Sequence, residues 1–224
     1  MRQPTVLLTG FEPYGGRGVN PSHEVMRRLD GAEIAGARIA GRAFPVSLRP
    51  LAQLVGDALR ETEPVAVVSL GLWPGEAMLR LERIGLNLAD FEIADNEGTL
   101  VVDAPIEGNG PAARRATLPL RAIETALLEA GIPVRISNTA GAYLCNATLF
   151  SFLQALDGLP RKVPCGFIHL PYLPAQVATM LSRPEGAKRT IELHQRADLA
   201  SMDLEIQVRA VEIAVRVTLE AAGK

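Results

Sequence analysis

Ile136-Ser137-Asn138-Thr139-Ala140-Gly141-Ala142-Tyr143-Leu144-Cys145-Asn146 leads into a helix-like segment, and Gly166-Phe167-Ile168-His169-Leu170-Pro171 follows it. A short apolar strand runs into a glycine turn, and a cysteine stands where the helical pattern begins. A second apolar strand then carries a histidine to its end. This strand–turn–helix–strand path belongs to an α/β sheet, whose strand ends are where ligands bind. It makes Cys145 and His169 candidates for a thiol nucleophile and its imidazole base. Each residue has a blander alternative. A free cysteine is by default an inert core thiol, and a histidine at a strand end is often simply a satisfied one. For Cys145, the helix start argues the other way: unpaired amides and the helix dipole stabilise a thiolate there and donate to an oxyanion. Cys165 lies inside an apolar strand and is expected in the core. His23 and His194 stand in polar, helix-like contexts and are expected at the surface.

Outward from this stretch, strands and helices alternate. Thr5 to Thr9 is a continuous apolar strand of the kind buried on both faces. Gly10 ends it, and Phe11-Glu12-Pro13-Tyr14-Gly15-Gly16 forms a loop with two aromatic rings. That loop falls at the carboxyl end of the sheet, where Phe11 and Tyr14 either wall a pocket or plug the core. Asn20 and Pro21 suit an N-cap and a first helical position. Arg38–Val46 reads as a strand interrupted at Pro45, Pro50–Glu63 as a helix and Val65–Leu70 as a third buried strand. Ala77–Leu88 alternates like a strand and is expected to pair as a hairpin with Leu100-Val101-Val102. Glu82 within it reads by default as a solvated face residue. Asp95-Asn96-Glu97-Gly98 is a turn signature, and Asp103–Arg114 an ordered surface loop. Helices are expected over Pro119–Ala130, Tyr143–Leu156 and Asp203–Ala222, with strands over Pro133–Ser137 and within Lys162–Leu170. Arg183–Ala200 is charged, weakly patterned and read as a surface excursion or a separate short helix. The expected fold is a single domain over residues 1–224: a three-layer α/β/α sandwich around a twisted, mostly parallel mixed sheet.

With 224 residues, 48% of them hydrophobic, the chain can bury a core without disulfides or metals. A net charge of −2 supplies no basic field to attract nucleic acid or a membrane surface. No apolar run approaches the ~20 residues that span a bilayer, and the N-terminus lacks a signal-peptide layout, so a cytoplasmic protein is expected. Two cysteines and three histidines, none in a CxxC or HxxxH arrangement, make a structural zinc site unexpected.

Several separated motifs together resemble one family. They are Leu7–Gly16 with Asn20-Pro21-Ser22; Glu82-Arg83-Ile84-Gly85-Leu86-Asn87-Leu88; Asp95-Asn96-Glu97-Gly98; Gly110-Pro111-Ala112-Ala113; Ser137 to Asn146; and Gly166 to Tyr172. In this order they resemble the pyroglutamyl peptidase I (pyrrolidone carboxyl peptidase) family. The resemblance implies a cysteine peptidase that removes an N-terminal pyroglutamyl residue from peptides, with no metal or cofactor. It implies a triad of Cys145, His169 and Glu82, a role for Glu82 that its strand pattern does not suggest. It also implies a homo-oligomer, often a tetramer in bacterial members. The expected substrate pocket has Phe11, Tyr14, Tyr143 and Leu144 as walls, a backbone carbonyl near Leu72 for the ring N–H, and Asn20 as either a substrate contact or a helix cap.

Two departures stand out. The loop after the third strand usually reads Gly-Gln-Ala-Gly-Gly-Arg, and here it is Gly71-Leu72-Trp73-Pro74-Gly75-Glu76. Glu92 stands at or near an arginine thought to assist the oxyanion. A carboxylate cannot donate that hydrogen bond unless protonated, so Arg83 or another donor is expected to compensate. A homologue that binds pyroglutamyl groups with weak or no turnover, and an amidohydrolase for another cyclic amide, are the alternatives.

Overall fold

The computed structural model describes residues 3–182 and 199–223. Its seven-stranded sheet runs β2-β3-β1-β4-β9-β5-β8. In chain order the strands are β1 (Thr5–Phe11), β2 (Glu33–Ile34), β3 (Ala37–Phe44), β4 (Ala66–Leu72), β5 (Leu79–Glu82), β8 (Val134–Ser137) and β9 (Cys165–Leu170). A separate two-stranded ribbon joins β6 (Ile84–Leu86) to β7 (Ala113–Arg115). The helices are α1 (Pro21–Leu29), α2 (Leu51–Thr62), α3 (Leu120–Glu129), α4 (Leu144–Asp157), α5 (Pro174–Leu181) and α6 (Leu204–Ala221).

Strand alternation divides the core between the two faces of the sheet. Val6, Leu8, Val68, Leu70, Leu79, Leu81, Ile168 and Leu170 face α1, α3 and α6. Leu7, Phe11, Val67, Cys165 and Phe167 face α2 and α4. The expected three-layer arrangement with a mixed, mostly parallel sheet is therefore present. β4 and β9 are buried at every position, as strands covered on both faces must be. Among the described residues no helix is long and apolar enough to cross a membrane. Nor does any group of three or more His, Cys, Asp or Glu stand where it would hold a metal ion.

Four expectations need correction. Ala77–Leu88 is not one strand. Its first half, β5, joins the main sheet, while its second half, β6, leaves for the ribbon, with Arg83 between them. The partner of β6 is β7, not residues 100–102, which return as a loop bonded through Phe91 N–H to Val101 O. The loop expected over Asp103–Arg114 thus ends in strand. The short antiparallel partner of β3, β2, and the helix α5 lay outside the sequence expectations. His23 is half-buried on α1 rather than on the surface. His194 lies outside the described residues, as does the Arg183–Ala200 segment apart from its last two residues.

The ribbon is fastened to α4 by Asn146, whose side chain is fully buried. Its Oδ1 accepts from Leu86 N–H at 2.8 Å, and its Nδ2 donates to the carbonyls of Leu86 and Leu88, both at 2.9 Å. Asn146→Ala would strand three backbone groups. A destabilisation of roughly 2–3 kcal/mol is expected in urea unfolding; a loss under about 0.5 kcal/mol, the usual range of surface changes, would show that the clamp is dispensable.

Candidate active site

The site forms where β4 and β9 end and β5 begins, beneath the N-terminus of α4. Because β5 runs antiparallel to β9, Arg80 lies directly opposite His169, and Glu82 lies opposite Phe167. Residues two apart on a strand share a face. Arg80, Glu82, Phe167 and His169 therefore project together toward α4. β8 continues the row, with Ser137 beside Glu82.

Glu82 has no solvent exposure and His169 is 1% exposed. Oε1 of Glu82 lies 2.8 Å from Nδ1 of His169. An ionised carboxylate only accepts, so Nδ1 carries the proton and Nε2 is left with its lone pair. Nε2 is buried and without a partner, as is Oε2 of Glu82. Burial lowers the His169 pKa below the ordinary 6.5 despite the opposing pull of Glu82. The imidazole is flanked by Phe167, at 4.8 Å between ring centroids, and by Trp73, edge-on at 5.0 Å.

Cys145 is the second residue of α4, after the extended N-cap Tyr143. The first bond of the helix runs from Ala147 N–H to Tyr143 O. The amides of residues 144–146 consequently have no acceptor within the helix. Gly141, at φ 80, makes the turn that feeds this start. A side chain at Gly71 would place its Cβ 2.7 Å from Cys145 Sγ and 2.8 Å from the Phe167 ring. Gly71 pairs with His169 across the sheet, so the bare glycine lets the thiol settle onto β4, the strand beside the one that carries His169. Burial, then the charge of Glu82, push the Cys145 thiol up to about 12, partly offset by its own amide. Cys165, 1% exposed in β9, is a core thiol as expected.

Beside Cys145 lies a small pocket lined by Phe11, Tyr14, Asn20, Val46, Leu72, Tyr143 and Leu144. All six residues expected there are present, and Val46 is the one the sequence did not suggest. The Tyr14 and Tyr143 rings stand 6.2 Å apart, and Phe91 braces Tyr143 at 4.5 Å. Asn20 lines the pocket, but its amide is engaged in capping: Oδ1 accepts from Ser22 N–H at 3.1 Å and Nδ2 donates to Glu12 O at 2.9 Å. Asp95 ties the surrounding loops by accepting from the amides of Leu48, Glu97 and Thr99. These three bonds outweigh burial and hold its carboxyl below the usual range.

Of the donors expected to compensate for Glu92, Arg83 is not placed to do so. Glu92 is exposed and does not line the pocket. Arg83 lines a different cavity with Arg115, Leu118 and Ile136, so it is no substitute donor. Trp73 does not line the pocket either; it covers His169. The residue that sequence reasoning missed is Arg80, 5% exposed, whose Nε donates to Glu82 Oε1 at 3.0 Å. A lone arginine in an alternating strand reads as a solvated one, and only the antiparallel register reveals its partner.

A thiol held near 12 is protonated at neutral pH. Iodoacetamide labelling of Cys145 in the free protein is therefore expected to climb with pH through 9 and beyond, followed by peptide mass spectrometry. A plateau already reached near pH 7 would mean a stable resting thiolate.

Known proteins resemble this chain over most of its length. A family model described as pyroglutamyl peptidase matches residues 4–221. Pyrrolidone-carboxylate peptidase of Thermococcus litoralis is 40% identical, covering 98% of this chain and 94% of its own. That of Escherichia fergusonii is also 40% identical, over 84% and 87%. The solved pyrrolidone carboxyl peptidase of Thermococcus litoralis superposes with a TM-score of 0.88 at 37% identity, covering 98% of this chain and 95% of its own. A mutant of the Pyrococcus furiosus enzyme gives 0.87 at 36%, over 97% and 99%. With matches running nearly end to end in both sequence and structure, this chain belongs to the pyroglutamyl peptidase family of cysteine peptidases.

Proposed function

We propose that the protein hydrolyses the amide bond after an N-terminal pyroglutamyl residue, with Cys145 as nucleophile, His169 as general base and acid, and Glu82 as the group that orients the imidazole. The observation that carries this reading is the buried 2.8 Å Glu82–His169 contact on the strand end next to a thiol that opens into an uncharged pocket. The free Nε2 takes the thiol proton as Sγ attacks the scissile carbonyl. The tetrahedral oxyanion forms at the start of α4, where the Cys145 amide has no helical acceptor. As the C–N bond breaks, the imidazolium returns its proton to the leaving amine. Water, deprotonated by the same nitrogen, then cleaves the thioester, releasing pyroglutamate and restoring the thiol. Glu82 stabilises the imidazolium in both halves and fixes the Nδ1–H tautomer.

The pocket supports the substrate class. A pyroglutamyl ring is small, flat and uncharged, which suits apolar walls such as Phe11, Val46, Leu72 and Leu144. An ordinary N-terminus would bring an ammonium group against those walls with no anion among the pocket-lining residues. The ring N–H is suited to a backbone carbonyl at the end of β4, near Leu72. A cytoplasmic homo-oligomer formed from one peptidase domain fits this reading.

The test is fluorophore release from a pyroglutamyl aminomethylcoumarin substrate under reducing conditions. Release by the wild type is expected, and Cys145→Ser should lower kcat at least about 10³-fold. A neutral imidazole is required and the His169 pKa lies below 6.5, so kcat/KM should hold down to that pH and fall only below it. The exposed Glu92 favours one second reading, a pyroglutamyl-binding homologue with little turnover. Calorimetric binding of a pyroglutamyl peptide without release would establish that instead.

A further inference from the structure

We infer that Arg80 is a positioning residue: it is the buried cation that holds Glu82 in place against the His169 imidazole and opposes protonation of that ring, with Trp73 packed against both Arg80 and His169 as a brace and Glu76 as the opposing charge. The inference rests on the reaction proposed above for its kinetic readout alone.

Arg80 shares one carboxylate oxygen with the imidazole. Its Nε donates to Glu82 Oε1 at 3.0 Å, the same oxygen that receives Nδ1 of His169 at 2.8 Å. The guanidinium cannot swing away, because Nη2 donates to Ser137 Oγ at 2.7 Å and to Thr139 O at 2.8 Å. Its carbon lies 3.6 Å from the centroid of the Trp73 ring, close enough for a cation–π contact. The edge of that indole meets His169. One aromatic side chain thus touches both partners of Glu82.

The charges around His169 can be named element by element. β5 supplies Arg80 and Glu82, α4 supplies the Cys145 thiol, and β9 supplies only the Phe167 ring beside it. The loop after β4 supplies Trp73 and Glu76. Glu76 lies 3.6 Å from Arg80 Nη1 and is held at 2.6 Å by Arg135 of β8. Glu82 and His169 share a hydrogen bond, so a charge fixed beside the carboxylate also acts on the imidazole. A cation fixed against the pair opposes protonation of either one. An anion beyond that cation promotes it. Arg80 and Glu76 accordingly push in opposite directions, and the nearer one dominates.

A residue that merely packed the strand end would not move a titration with a defined sign. The experiment follows the His169 ring protons by NMR, assigned by their loss in His169→Asn, together with the acid limb of kcat/KM. Arg80→Gln should move both midpoints up by roughly 1 pH unit. Arg80→Lys, which keeps the charge, should leave them near wild type while lowering kcat through the lost fork. Glu76→Gln should move them down by a smaller amount. Unmoved or lowered midpoints in Arg80→Gln, or Arg80→Lys shifting as far as Arg80→Gln, would overturn the inference. If Arg80→Gln does not fold, a Glu76→Gln midpoint that stays or rises overturns it. The NMR titration needs no turnover. An inactive wild type would therefore sink the proposed reaction and still leave Arg80 to be judged.

Discussion

A carboxylate with no solvent exposure is the constraint around which this site is arranged. Glu82 sits inside a sheet whose other face is packed with leucine, isoleucine and valine. A buried charge survives only when paired and hydrogen-bonded. Here one oxygen receives both a guanidinium and an imidazole. That double acceptance fixes the His169 ring, chooses its tautomer and leaves Nε2, buried and unpartnered, as its reactive end. The aromatic rings of Phe167 and Trp73 close the remaining sides, so the pair is held by packing as well as by charge.

The fold delivers these groups through one unusual strand. β5 lies between β9 and β8, antiparallel to the first and parallel to the second. Reversal against β9 places Arg80 and Glu82 across from the strand end that carries His169. Alternation then sends Leu79 and Leu81 to the opposite core, where they meet Ile168 and Leu170. The bare edge at Gly71 admits the thiol of Cys145 from the helix above. Removal of a single side chain in β4, not a special loop, is what allows helix and strand end to meet.

Much of this was legible in the sequence because the signals were local. A glycine turn before Cys145, apolar runs at β1, β4 and β9, and the Asn20-Pro21 helix start each follow from short-range rules. Of the pocket residues, Phe11 and Tyr14 were legible from their place after the first strand, while Tyr143 and Leu144 were expected only through the family resemblance. Glu82 was not, except through family resemblance, since a carboxylate in an alternating strand looks the same whether it faces water or a histidine. The Ala77–Leu88 stretch was misjudged for a related reason: its alternation slips phase only once, at the polar pair Glu82-Arg83 where the chain changes sheets, and periodicity carries no record of which partner each half has. The remote placement of Arg83 likewise depends on long-range pairing.

The departures at positions 76 and 92 take on different meanings in the structure. Glu92 is a surface residue that does not line the pocket, whereas the amides at the start of α4 lack helical acceptors. Glu76 is part of the charge row that ends at His169. The most direct measurement of the central claim is mass spectrometry of enzyme quenched during turnover of a pyroglutamyl peptide. The account predicts a pyroglutamyl adduct on the peptide containing Cys145 and none on the one containing Cys165. An adduct on Cys165, or continued release by Cys145→Ser at the wild-type rate, would contradict it.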